Sequence, residues 1–304
     1  MRMFGFSRYG GPEVMEHLEV PDPEPGPGQV LVRMTAAGVN PADIKVRNGQ
    51  RDGVVEVRFP MAIGREAAGV VVAAGPDVTA FRPGERVFGA TADGAGALAG
   101  LVLLDAAGTA HTPDGVTDEQ ACSLPVAAGT AYDALDELAL PAGATVLMLG
   151  AGGGVGSCVC GLARDRGLRV IGVASTAKQP LVTGLGAEHV VKGEGWTERV
   201  RALAPDGVDA VIDAVGGPVL AEAMPLLARP GALRSVADVP QAEELGGSGV
   251  TRRRTTAVYG EVAALVEAGR FAPVVTESHR LAEAERAVAA VESGHAAGNI
   301  VVLA

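Results

Sequence analysis

Cysteine is scarce in this sequence: the 304 residues include three, Cys122, Cys158 and Cys160. No two of them form a CxxC pair, and no secretory leader accompanies them, so a disulfide framework is not expected. The five histidines show no paired spacing. No Ser–His–Asp or Cys–His arrangement can be read either, which argues against a hydrolase. Positive charge is also short. Lys and Arg number 25 against 36 Asp and Glu, a formal net charge of −11. A nucleic acid or an anionic membrane is therefore not the expected partner. The one dense basic patch, Arg252 to Arg254, reads as a solvated strand or loop edge. Long apolar runs are missing too. The longest, Gly94 to Leu104, is far too short to cross a bilayer, and Met1 to Phe4 lacks the apolar core of a signal peptide. A cytoplasmic protein is the expectation.

What is present is a globular composition, 48% apolar and 20% charged, in a chain long enough for two domains. The stretch that organises it is Ala144 to Gly167, ATVLMLGAGGGVGSCVCGLARDRG. Val146 to Leu149 is an apolar run of strand length. Glycines follow at 150, 152, 153, 154 and 156, and then Val155, Val159 and Leu162 keep a helical spacing. Strand, glycine turn, helix is the setting of a dinucleotide site. Glycines let the backbone turn tightly and approach a pyrophosphate, and the helix N-terminus offers free N–H groups. The strict GxGxxG pattern fits no frame; Gly150-x-x-Gly153-x-x-Gly156 does. The competing reading is a βα turn that binds nothing.

Before this stretch, short strand-like segments alternate with Gly and Pro turns: Val30 to Met34, Ala68 to Ala74, and Arg86 to Phe88. They predict a β-rich domain. Thr117 to Gln120 is a capping-box pattern that opens a helix. Beyond it, strands over 168–174, 208–214 and 231–236 alternate with helices, which predicts a doubly wound parallel sheet. Two helical stripes follow, one around Val262 to Val266 and one over Leu281 to Val291, and Asn299 to Leu303 reads as a closing strand.

The motifs taken together resemble the medium-chain dehydrogenase/reductase superfamily, in its zinc-free quinone oxidoreductase branch. The residues that carry the likeness are Ala37 to Asp43 (AGVNPAD), Gly64 to Gly69 (GREAAG), Gly84 to Val87 (GERV), Gly129 to Tyr132 (GTAY), Gly153 to Gly156 (GGVG), Asp213 to Gly217 (DAVGG) and Gly298 to Val301 (GNIV). The resemblance implies a GroES-like β-rich catalytic domain over residues 1–116 and a Rossmann NADPH-binding domain over 117–260. It implies that a segment over 261–304 returns to the catalytic domain, that the active site lies in the cleft between domains, and that the protein is a homodimer.

Zinc-dependent relatives place a Cys in the segment matching Gly38 to Asp43 and a His before the Glu of GREAAG. Here those places hold Val39, Asn40 and Arg65, so no metal is expected. The second strand of the nucleotide domain ends in Ser175, Thr176 and Lys178 without the acid that usually accepts the ribose hydroxyls of NAD. These residues can instead donate to a 2′-phosphate, so NADPH is the expected cofactor. Its contacts are expected at Asn40, Thr130, Gly150, Gly153, Gly154, Val155, Gly156, Ser175, Thr176, Lys178, Val215, Val236 and Asn299. Asn40, Lys45 and Tyr132 are the candidate catalytic donors, able to stabilise an oxyanion as charge develops. Asp43 reads as a partner of its turn, and Glu66 as structural or as an orienter of Arg65. The implied activity is metal-free hydride transfer from NADPH to a quinone or to the β-carbon of an α,β-unsaturated carbonyl. The alternatives are a reductase dedicated to one polycyclic enone and a protein that holds NADPH without turnover.

Overall fold

Short strands of Val, Ile and Leu bury both faces only when helices cover both sides of their sheet, and the middle of this chain builds that arrangement. The structure, a computed structural model, describes residues 1–304. In chain order the strands are β1 (Arg2–Phe6), β2 (Met15–Glu19), β3 (Gln29–Val39), β4 (Met61–Ala62), β5 (Glu66–Ala74), β6 (Arg86–Thr91) and β7 (Leu101–His111), then β8 (Thr145–Leu149), β9 (Arg169–Ala174), β10 (Glu188–Val191), β11 (Ala210–Asp213), β12 (Leu233–Ser235), β13 (Ser248–Gly249), β14 (Val275–Arg280) and β15 (Asn299–Leu303). The helices that matter for the site are α1 (Pro41–Arg47), α2 (Asp118–Ala121), α3 (Gly129–Leu138) and α4 (Gly154–Asp165).

Two compact units emerge. One holds Met1–Gly129, Arg254–Gly269 and Val274–Ala304, and the other Thr130–Arg253 with Arg270–Pro273. Residues 117–129 thus pack with the β-rich unit. The predicted capping box at Thr117 forms, with its hydroxyl accepting from the Gln120 N–H at 3.2 Å and the Gln120 side chain accepting from the Thr117 N–H at 3.1 Å. The short α2 that it starts packs on β3 and β5. The helix Thr256–Glu267 likewise packs on β7 of the β-rich unit.

The nucleotide-type unit has one six-stranded sheet in the order β10-β9-β8-β11-β12-β13, every pairing parallel. All five residues of β8 are buried. Leu147, Leu149, Ile171, Val173, Val211 and Leu233 share one core cluster, each contributing about 1.5–3 kcal/mol on full burial. The strand order reverses at β8, whose neighbours are β9 on one side and β11 on the other. In open α/β sheets a ligand crevice opens at the carboxyl ends of the strands at that reversal. Cys158 and Cys160 are buried in α4 behind the glycine turn, as small core residues. Burial pushes the Cys160 thiol up to about 12, so it stays a thiol.

In the β-rich unit β3 pairs antiparallel with β5, with β15 and, over Gln29 to Arg33, with β7. The run β3-β5-β6-β7 thus returns to β3 and leaves no free edge between them. The chain's end does join this sheet, through β15 and its parallel neighbour β14. The sequence did not predict β14. Its residues VTESHR are mostly exposed at the sheet's edge, so no apolar alternation marks it.

Candidate functional site

The glycines after β8 divide the work of the turn. Gly150 takes φ +85°, a left-handed conformation open to glycine without steric cost. A Cβ on Gly156 would lie 2.2 Å from the Gly150 carbonyl oxygen, so glycine there lets α4 close against the turn. Gly153 differs: a Cβ would meet nothing nearer than that same oxygen, at 3.6 Å. The first ladder bond of α4 runs from the Ser157 N–H to the Gly153 carbonyl at 2.8 Å. The N–H groups of Gly154, Val155 and Gly156 precede it and have no partner within the helix. An open space beside Gly153, faced by a helix N-terminus, suits a diphosphate.

A basic corner stands beside this turn. The stem of Lys178 lies over Gly152, where a Cβ would come 2.4 Å from the Lys178 Cδ. Burial, and then the neighbouring Lys192 ammonium, lower the Lys178 pKa from its ordinary value. Ser175 begins the turn Thr176–Lys178 without using its hydroxyl as a cap, and Thr176 is exposed. Lys192 was not singled out from the sequence. It follows β10 directly, and its N–H donates to the Ala174 carbonyl at 2.8 Å, so sheet pairing places it beside the end of β9. A lysine closing the next apolar strand was the only signal available.

The loops after β11 and β12 are pinned by a buried pair. One oxygen of Asp213 accepts from the N–H groups of Val215 and Gly216, both at 2.9 Å, and the other accepts from the Ser235 hydroxyl at 2.6 Å. The Val215 side chain is left 52% exposed beside Gly150, as an apolar wall at the head of the turn. Val236 is half-buried, and its N–H donates to the Asp213 carbonyl.

In the same unit, Thr130 is fully buried in the first turn of α3. The Tyr132 ring has the Arg166 guanidinium 4.8 Å and the Arg253 guanidinium 5.7 Å from its centroid. Arg253 pairs with Asp133 at 2.7 Å and Asp136 at 2.6 Å. The expected solvated basic edge is thus an ion-pair cluster at Arg253, and Tyr132 is part of it.

In the β-rich unit a buried carboxylate does the positioning. Glu66, 1% exposed, accepts from the Asn40 side-chain amide at 2.6 Å and from the Val126 N–H at 2.7 Å. It therefore orients Asn40 rather than Arg65. Asp43 accepts from the Asn40 backbone N–H at 2.8 Å. Its other oxygen is buried without a hydrogen-bond partner. Burial pushes the Asp43 carboxyl up to about 7, against the Asn40 bond and the charge of Arg65. Lys45 lies half-buried on α1. Asn299 donates one amide hydrogen to the Val274 carbonyl at 3.1 Å, which anchors the side chain at the start of β15. The unit also carries a cavity of about 340 Å³ whose wall includes Arg65, Pro125 and Val126.

Comparison with known proteins agrees with this architecture. Residues 26–117 match the model of an alcohol dehydrogenase GroES-like domain, and residues 185–302 that of a zinc-binding dehydrogenase. A quinone oxidoreductase of Pseudomonas aeruginosa is 30% identical, over 98% of each chain. The erythronolide synthase EryA2 of Saccharopolyspora erythraea is 34% identical over 90% of this chain, which spans only 8% of that synthase's length. The Escherichia coli quinone oxidoreductase solved with NADPH superposes with a TM-score of 0.88 at 25% identity, covering 100% of both chains. The zinc named by one matching model does not fit these residues. No group of three or more His, Cys, Asp or Glu side chains converges to hold a metal, and Glu66 is committed to Asn40 and Val126.

Proposed function

The chain belongs to the medium-chain dehydrogenase/reductase superfamily, in its quinone oxidoreductase branch, and from that premise we propose that it is an NADPH-dependent reductase of quinones or of α,β-unsaturated carbonyls that works without a metal. The observation that carries the cofactor choice is the basic corner. Lys178 is packed over Gly152 with Lys192 beside it, and no acid stands at the end of β9.

A bound nicotinamide would supply hydride. The chain's own residues supply position and charge. The N–H groups at the start of α4 would hold the diphosphate, and Ser175, Thr176, Lys178 and Lys192 the 2′-phosphate. Val215 and Val236 would offer an apolar surface at the other end of the turn. Asn40 has one amide hydrogen committed to Glu66. Its second is a neutral donor held in a fixed direction, the kind of group that stabilises an enolate or quinol oxygen as charge develops without reorganising. Lys45, five residues along the same segment, is the candidate cationic donor. Once hydride reaches a β-carbon, the α-carbon takes a proton from water or from a side chain.

The test is steady NADPH consumption against a panel of quinones and enones, alongside dissociation constants for NADPH and NADH. Turnover with a tighter NADPH complex supports the reading. Tight NADPH binding with no turnover on any acceptor would favour the protein that holds the cofactor without using it.

A further inference from the structure

The β-rich unit's cavity contains a guanidinium that no carboxylate pairs with directly, although the charges of Asp43 and Asp93 act on it from a distance. Arg65 is half-buried on its wall, and its guanidinium makes no hydrogen bond or ion pair in the structure. The strongest charge acting on it is another cation, Arg254, which lines the same cavity and also lacks an ion pair. Every other arginine cluster described above is neutralised by carboxylates. Two aspartates, Asp93 and Asp105, share the cavity rim. Both are exposed, where water screens them, and Asp105 already accepts from the Ala107 N–H at 3.1 Å. Groups withdrawn from water are normally paired. A guanidinium left without a partner inside a cavity is a binding group for an anion, and its planar fork matches a carboxylate.

The cavity's volume, about 340 Å³, is at the lower end of the small-molecule range. It also adjoins the donor cluster. Val126 is in its wall, Glu66 binds the Val126 N–H, and the same Glu66 holds Asn40.

We propose that the cavity is a carboxylate subsite: Arg65, supported by Arg254, selects acceptors that carry a carboxylate a few atoms from the reducible carbonyl. The proposal rests on the reading of the protein as a reductase. Arg65 acts through charge on a remote part of the substrate, so it sets specificity and takes no part in the chemistry.

The probes are 3-benzoylacrylate, an enone with a carboxylate, and its methyl ester. Wild-type protein is expected to favour the acid over the ester by tenfold or more in kcat/KM, and the preference should shrink as salt is raised. In Arg65→Gln the acid-to-ester ratio should fall to about one, and in Arg254→Gln it should fall by a few-fold. Calorimetric titration of the same two compounds reads the subsite without turnover: the acid should bind wild type at least tenfold tighter than it binds Arg65→Gln. A wild-type ratio near one, or a ratio unchanged in a folded Arg65→Gln protein, overturns the subsite. Reduction of neither compound, nor of any quinone, would overturn the reductase reading instead, and the binding data would still judge the subsite.

Discussion

Removing the charge of Lys178 while keeping its stem isolates the basis of cofactor choice. The stem lies against Gly152, so truncation to alanine also strips a cover from the glycine turn. Lys178→Met keeps a chain of similar length and deletes only the ammonium. A charge-assisted hydrogen bond contributes roughly 1.5–3 kcal/mol, which at about 1.4 kcal/mol per decade weakens NADPH by about 10- to 150-fold. NADH has no 2′-phosphate, so its constant should move by less than about twofold on the same reasoning. Lys178 is half-buried with its pKa lowered by burial and by Lys192. A bound phosphate would offset both causes. The NADPH preference should therefore decline as pH rises toward the alkaline range, where the free ammonium loses its proton. Lys192→Met should weaken NADPH as well, and Ser175→Asp should turn the preference toward NADH by repelling the phosphate and accepting from the ribose hydroxyls. Fluorescence or calorimetric titration of both cofactors against each variant gives the numbers. Equal losses for NADPH and NADH in Lys178→Met, or a wild type that already prefers NADH, would refute the argument.

The two central glycines should fail differently. Gly153→Val should keep its thermal midpoint and lose both cofactors, since its side chain enters open space, while Gly156→Ala should lose about 1–3 kcal/mol of stability to overpacking. Asp43 predicts a pH dependence of stability. Its folded pKa, about 7, exceeds the ordinary 3.8, so the fold binds the extra proton. The contribution is fully present below about pH 4 and is lost as pH rises through 7, on the order of 4 kcal/mol in all. Denaturant titration across that range should show this slope, and Asp43→Asn should flatten it. Activity should survive exhaustive chelation, and elemental analysis should find no stoichiometric zinc; a ratio near one would overturn the reading of Asn40 and Arg65.

Features written in consecutive residues were legible from the sequence. The glycine turn, the capping box at Thr117 and the closing strand Asn299–Leu303 each depend on neighbours a few positions apart, so local chemistry announces them. The acid-free end of β9 was legible for the same reason. Lys192 was not, because its place beside Ser175 is produced by the parallel pairing of Val191 with Ala174. The edge strand β14 escaped because it lacks an apolar face.

The segment GREAAG shows how far local reading reaches. Its place in the chain marked it as part of the site, and the adjacency of Arg65 and Glu66 suggested that one orients the other. The structure gives Glu66 to the interior, where it binds partners 26 and 60 residues away, Asn40 and Val126, and gives Arg65 to the cavity with Arg254. One residue fixes the direction of a donor, and the other leaves a cation facing ligand space. If the second assignment holds, Arg65→Gln and Glu66→Gln must separate in assay. Loss of the Glu66 charge should loosen Asn40 and lower kcat for acid and ester substrates alike, and loss of the Arg65 charge should act on the acid alone.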